Sequence, residues 1–75
     1  MKNGKLKSFR ERLMETEYFN GLPKVVQKIA LQKNNLNHIE HGYNVAMNIG
    51  FDKWESQSGF SFRNKEIIRE LIQNQ

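Results

Sequence analysis

His38 and His41 stand three residues apart, a spacing that places two imidazoles on one helical face, as in many metal sites. Zinc asks for three or four protein ligands. The chain has no cysteine, and on a helix Glu40 points away from the pair. The two histidines therefore read as surface residues near a helix start. The single aspartate and seven glutamates are interleaved with lysine and arginine, the pattern of a solvated helix face. No serine sits in a nucleophile elbow. Gly4, Gly21, Gly42, Gly50 and Gly59 are isolated, so no loop offers successive backbone N–H groups to a phosphate. A chain of 75 residues also rarely encloses a pocket that dehydrates a substrate. These residues argue against an enzyme, and they call for no metal, no cofactor and no small-molecule substrate.

Binding chemistry is better represented. Lys2, Lys5, Lys7, Arg10 and Arg12 crowd the first twelve positions, and Lys24 with Lys28 forms a second row one helical turn apart. Residues 1–37 hold eight cations against three acids, a net of +5, while residues 38–75 hold four against five, a net of −1. Lys5, Lys7, Arg10, Arg12, Lys24 and Lys28 are thus the candidate contacts to nucleic acid, where each neutralised phosphate releases condensed counterions. Glu11, Glu15 and Glu17 dilute the patch and can pair with neighbouring cations. The second candidate surface is aromatic. Phe51, Trp54, Phe60 and Phe62 fall within twelve residues, and exposed they would anchor a protein partner. At least two of the four are expected in the core, because a domain with few long aliphatics fills its interior with rings.

These groups belong to one small domain. Hydrophobic residues make up 37% and charged residues 27%, with a formal net charge of +4, which is lean but globular. A chain this short buries a modest share of its surface, so its stability is expected to be marginal. The lack of disulfides points to a reducing, cytoplasmic setting. The basic start is followed by no apolar run of signal-peptide type, and no stretch is apolar enough to span a membrane.

Hydrophobic periodicity predicts an all-α bundle of three to four main helices. The first covers residues 5–20, with Leu6, Phe9 and Leu13 as its stripe, Met14 and Tyr18 widening it, and Ser8 with Glu11 as a capping box. Gly21 is its expected left-handed cap. Pro23 opens a second helix over 23–33, with Val25, Val26, Ile29 and Ala30 inward, Lys24 and Lys28 outward, and Asn34-Asn35 as its break. Residues 36–49 fit a third, with Asn37 and Glu40 at its start and Gly50-Phe51 at its end. The alternation Tyr43, Val45, Met47, Ile49, Phe51 equally fits a strand, which leaves an α+β alternative with a hairpin across 43–62. Residues 52–62 read as a turn or short helix capped by Asp52 with Glu55, then an extended Phe60-Ser61-Phe62. Asn64 is placed as the cap of a last helix, 64–73, carrying Ile67, Ile68, Leu71 and Ile72. Phe9, Leu13, Ile29, Ile39, Ile68 and Leu71 are the expected core.

The spacing of Phe9, Leu13 and Phe19, with Gly59-Phe60-Ser61-Phe62 and Glu66-Ile67, resembles the leader-peptide domain family associated with nitrogen fixation, in which such a domain precedes a modified peptide. The chain departs from that pattern in its extra sequence between the halves. It also has Arg63 where a capping Thr is usual, and lacks a cysteine-bearing peptide afterwards. No residue role is carried over. The expected function is a small non-enzymatic regulatory protein whose basic N-terminal half docks on nucleic acid. The alternative is a protein-binding adaptor or stoichiometric inhibitor that uses residues 51–62 or the C-terminal helix, with homo-oligomerisation as one form of it.

Overall fold

Residues 7–74 are described by the computed structural model, and all six regular elements among them are helices: α1 (Phe9–Met14), α2 (Glu17–Asn20), α3 (Lys24–Ala30), α4 (Lys33–Ile49), α5 (Phe51–Gln57) and α6 (Phe62–Gln73). The all-α expectation holds, and no strand occurs among the described residues. The strand pattern at 43–51 loses to a helical one. Ile39, Gly42, Tyr43 and Ala46 are buried at spacings of three, four and seven, a single face of α4. Gly42 costs that helix propensity, yet the ring of Phe60 lies where a side chain would be: a Cβ there would stand 2.6 Å from its Cε2.

The first helix is two helices. The Ser8–Glu11 capping box forms as expected, but Thr16 interrupts the run. Its buried hydroxyl donates to the Leu13 carbonyl at 2.9 Å and accepts from the Phe19 N–H at 3.3 Å, replacing helical bonds with local ones. The break turns Phe19 into the core and leaves Met14 exposed. The free N–H groups opening α2 are met from a distant element. The Glu70 carboxylate of α6 accepts from Glu17 and, at 3.0 Å, from Tyr18.

Other helix ends differ from the sequence reading too. Gly21 caps α2 at φ −83°, not left-handed, and Pro23 is the N-cap of α3 rather than its first residue. Asn34 and Asn35 do not end α3; they lie in the first turn of α4, where the Asn35 amide donates to the Ile29 carbonyl at 2.9 Å. Neither Asn37 with Glu40 nor Asp52 with Glu55 caps a helix. Gly50 does so for α5 and ends α4, at the one positive φ among the described residues, +99°. Ser61, not Asn64, caps α6, its hydroxyl accepting from the Asn64 N–H at 3.2 Å.

The core gathers Leu13, Phe19, Ala30, Ile39, Tyr43, Ala46, Trp54, Ile67, Ile68 and Leu71. Four of the six expected core residues, Leu13, Ile39, Ile68 and Leu71, are buried, and Phe9 is half-buried with its ring 5.6 Å from that of Tyr43. Ile29 is not buried; it is 47% exposed. The central helix α4 packs on α3, α5 and α6, and α6 also meets α1 and α2.

Candidate functional site

The basic residues divide by where their charge is spent. Lys5 lies outside the described residues. Lys7 pairs with Glu15 at 2.7 Å, both side chains well exposed, a bond contributing about 0–1 kcal/mol. Arg12 turns inward. Its guanidinium donates to the Tyr43 hydroxyl at 3.0 Å and the Leu71 carbonyl at 3.4 Å, and sits 5.1 Å from the Tyr43 ring centre. It ties α1 to α4 and to the last turn of α6. Arg10, Lys24 and Lys28 are exposed, with no ion pair to any described residue. Of the six expected contacts, Arg12 is engaged inside the fold, Lys7 is exposed in a surface ion pair, and Arg10, Lys24 and Lys28 are exposed without one.

The aromatic segment is mostly interior. Trp54 is 4% exposed and meets Phe60 edge-on at 5.1 Å. Phe60 also stacks on His38 at 4.0 Å, with the two rings 7° from parallel. That contact accounts for His38, while His41 is exposed elsewhere on α4. Phe51 is half-buried under the Arg69 guanidinium, 4.8 Å from its ring centre. Arg69 in turn binds Glu55 at 3.1 Å and Glu66 at 3.4 Å, and Lys65 donates to the Glu55 carbonyl at 2.9 Å. Of the four aromatic candidates, Phe62 alone stands out from the surface, 72% exposed as the first residue of α6.

A different surface collects what remains. Between α3 and the start of α6 runs a cleft of about 170 Å³, lined by Val26, Ile29 and Ala30 of α3, Asn35 and Ile39 of α4, and Arg63 and Asn64 of α6. At 100° per residue, the apolar arc of α3 spans about 140°, from Ala30 through Val26 and Ile29 to Val25. Packing on α4 buries Ala30. Val25 stays 66% exposed on the outer edge, and Lys28 then Lys24 follow it around the helix. Arg63 and Lys33, likewise exposed and without an ion pair to a described residue, stand at the starts of α6 and α4.

Sequence reasoning placed Val25 and Ile29 inward and did not name Lys33, Arg63 or Asn64 as binding residues. One signal was available: residues 18–39 contain no acidic residue at all. No group of three or more metal-binding side chains occurs among the described residues, and no helix there is long and apolar enough to cross a membrane. No protein family, curated protein or solved structure matches the chain.

Proposed function

We propose that the chain is a small, non-enzymatic, protein-binding regulator whose contact surface is the exposed face of α3 together with the start of α6. The observation that carries this reading is apolar surface left outside the core. Val25, Ile29 and Phe62 are 66%, 47% and 72% exposed, and Ile29 lines a cleft together with Val26, Ala30 and Ile39. Exposed aliphatic and aromatic side chains are the usual anchors of a protein interface. An adaptor working through residues 51–62 or the C-terminal helix shares Phe62 with this surface, while the rings of Phe51, Trp54 and Phe60 are engaged in packing.

Nucleic acid is the second reading, favoured by the acid-free stretch 18–39 with Lys24, Lys28 and Lys33 exposed on it. Arg12, engaged with Tyr43 and the Leu71 carbonyl, adds little to that reading, and Lys7 stays exposed beside Glu15. The deciding experiment is a pull-down from lysate, with and without nuclease, using the parent and a Val25→Asp/Ile29→Asp variant. A nuclease-resistant partner lost with the double variant is the expected result. A partner that disappears on nuclease treatment, with log affinity falling linearly against log salt, selects the nucleic-acid reading instead.

A further inference from the structure

We infer that the α3–α6 cleft receives an acidic amphipathic helix, one apolar side chain of which enters the cleft while its Asp or Glu residues meet Lys24, Lys28 and Arg63. The inference rests on the protein-binding reading above and specifies its partner. The cleft, at about 170 Å³, is below the roughly 300–1,000 Å³ of a small-molecule site. It suits a single large aliphatic or aromatic side chain. Its apolar surface comes from Val26, Ile29, Ala30 and Ile39, and its polar lining, Asn35, Asn64 and Arg63, holds no acid.

Charge selects the partner further. Lys28 and then Lys24 follow Val25 around α3, about 100° and 140° from Ile29, and Arg63 lines the cleft on the α6 side, none of them paired with a described acid. Elsewhere on the molecule Lys7 pairs with Glu15 and Arg69 with Glu55 and Glu66, Arg12 and Lys65 donate to neutral oxygens, and Arg10, Lys33 and Lys53 are exposed without an ion pair to a described residue. A second copy docked two-fold on the same face would set this basic patch against an identical one, a like-charge contact that suppresses self-association. Nor are most of the chain's acids free to serve a head-to-tail copy. Glu15, Glu55 and Glu66 are in ion pairs, Glu11 caps α1, and Glu70 caps α2.

The secondary structure narrows the mode of binding. With no strand among the described residues, there is no sheet edge for an extended peptide to join. Recognition then falls to side chains, and the matching mode is a helix laid in a groove, its apolar residues at i, i+3 or i+4, and i+7. Seven residues of α3 extend about 10 Å, enough to meet two turns of such a helix.

The test is a selection of random 16-residue peptides displayed on phage against the full chain, followed by titration of enriched peptides by fluorescence anisotropy. Enrichment of peptides with apolar residues at helical spacing flanked by Asp and Glu is expected. Their Kd should rise about tenfold or more with Ile29→Asp, as for loss of an interface anchor. It should also rise with Lys28→Glu/Arg63→Glu, and changing the peptide's acids to Lys should restore binding to that double variant. Circular dichroism of both variants should match the parent, since the altered side chains lie at the surface. Peptides that depend on Ile29 but show no acidic bias, or ignore the charge reversal, overturn the acidic partner and leave the protein-binding reading standing. Failure to enrich any peptide sensitive to Ile29→Asp overturns both. Binding of phosphatidylserine vesicles that is lost with Ile29→Asp, in place of peptide capture, gives the face to a membrane surface and overturns the proposal.

Discussion

Residues 24–30 and 51–62 each carry large apolar side chains on short helical segments, and they end on opposite sides of the burial boundary. The second segment is held from two directions. Gly50 turns the chain sharply from α4 into α5, so that Trp54 lies in the core. Phe60 then fills the notch at Gly42 between Trp54 and His38, and Arg69 of α6 closes over Phe51. The first segment rests chiefly on one neighbour, α4. A single helix–helix contact covers a narrow strip, and an apolar arc of about 140° is wider than one such strip. What decides burial in a short helix is how many other elements reach it, and hydrophobic spacing alone does not report that number.

Removing side chains from the two segments should give very different melts. Trp54→Ala should lose about 3–5 kcal/mol, and Ile68→Ala or Leu71→Ala about 2–5 kcal/mol, the cost of a large buried side chain. In a domain of marginal stability, that unfolds much of the population at room temperature. Ile29→Ala should cost less than about 1 kcal/mol, since half its surface is already in water. Urea denaturation of the four variants checks the ordering. A Trp54→Ala protein as stable as Ile29→Ala would end the contrast.

The next largest effects concern side chains that join elements by hydrogen bonds. Arg12→Ala removes the bonds to Tyr43 and the Leu71 carbonyl, and Glu70→Ala uncaps α2. Each should lower stability by about 1–2 kcal/mol. Arg12 is the sharper case, because by composition it belonged to the basic patch. If Arg12→Ala melts like the parent but weakens partner binding, then its charge serves the surface after all. Hydrogen exchange should also show faster opening of α2 in Glu70→Ala.

Gly42→Ala tests the fit of Phe60 directly. Alanine favours a helix by about 1 kcal/mol over glycine, but the added methyl must displace a ring stacked on His38 and packed on Trp54. Overpacking of this kind costs about 1–3 kcal/mol, so net destabilisation is expected. In a Phe60→Leu background the same change should become neutral or stabilising. Equal effects in both backgrounds would mean that the ring does not sit in the notch.

The fold was legible where one helical face does the burying: Leu13, Ile39, Ile68 and Leu71 declare the core by spacing alone. The break at Thr16 was not. It depends on a hydroxyl competing with the backbone and on a carboxylate 54 residues away in sequence, Glu70, reaching the first N–H groups of α2. The basic residues were legible as composition, and Lys7, Arg10, Lys24 and Lys28 are exposed as that reading needs, but Arg12 is not. Whether an arginine faces solvent or a tyrosine hydroxyl is decided by tertiary contacts that charge counting does not see. Val25 and Ile29 were misplaced because a wide apolar arc looks the same whether its far edge meets a neighbour or water.

The smallest expected stability effect carries the most functional weight. Lys24 is the first residue of α3, where the helix dipole disfavours a cation, and Lys28 lies one turn on with no described acid beside it. Two lysines at i and i+4 also repel slightly. Lys24→Glu should therefore leave the melting temperature unchanged or raise it, by at most about 0.3–1 kcal/mol of dipole energy. Lys28→Glu alone should stay within about 0.5 kcal/mol of the parent, as for an isolated surface change. Partner binding should move the other way and weaken with each substitution, and more so at low salt, where charge attraction is least screened. A residue whose reversal leaves the fold intact or firmer while binding falls is kept for its contacts. If both variants bind the partner as the parent does, the lysines are only solubilising charge. The partner would then be held by Val25, Ile29 and Phe62 without electrostatic help.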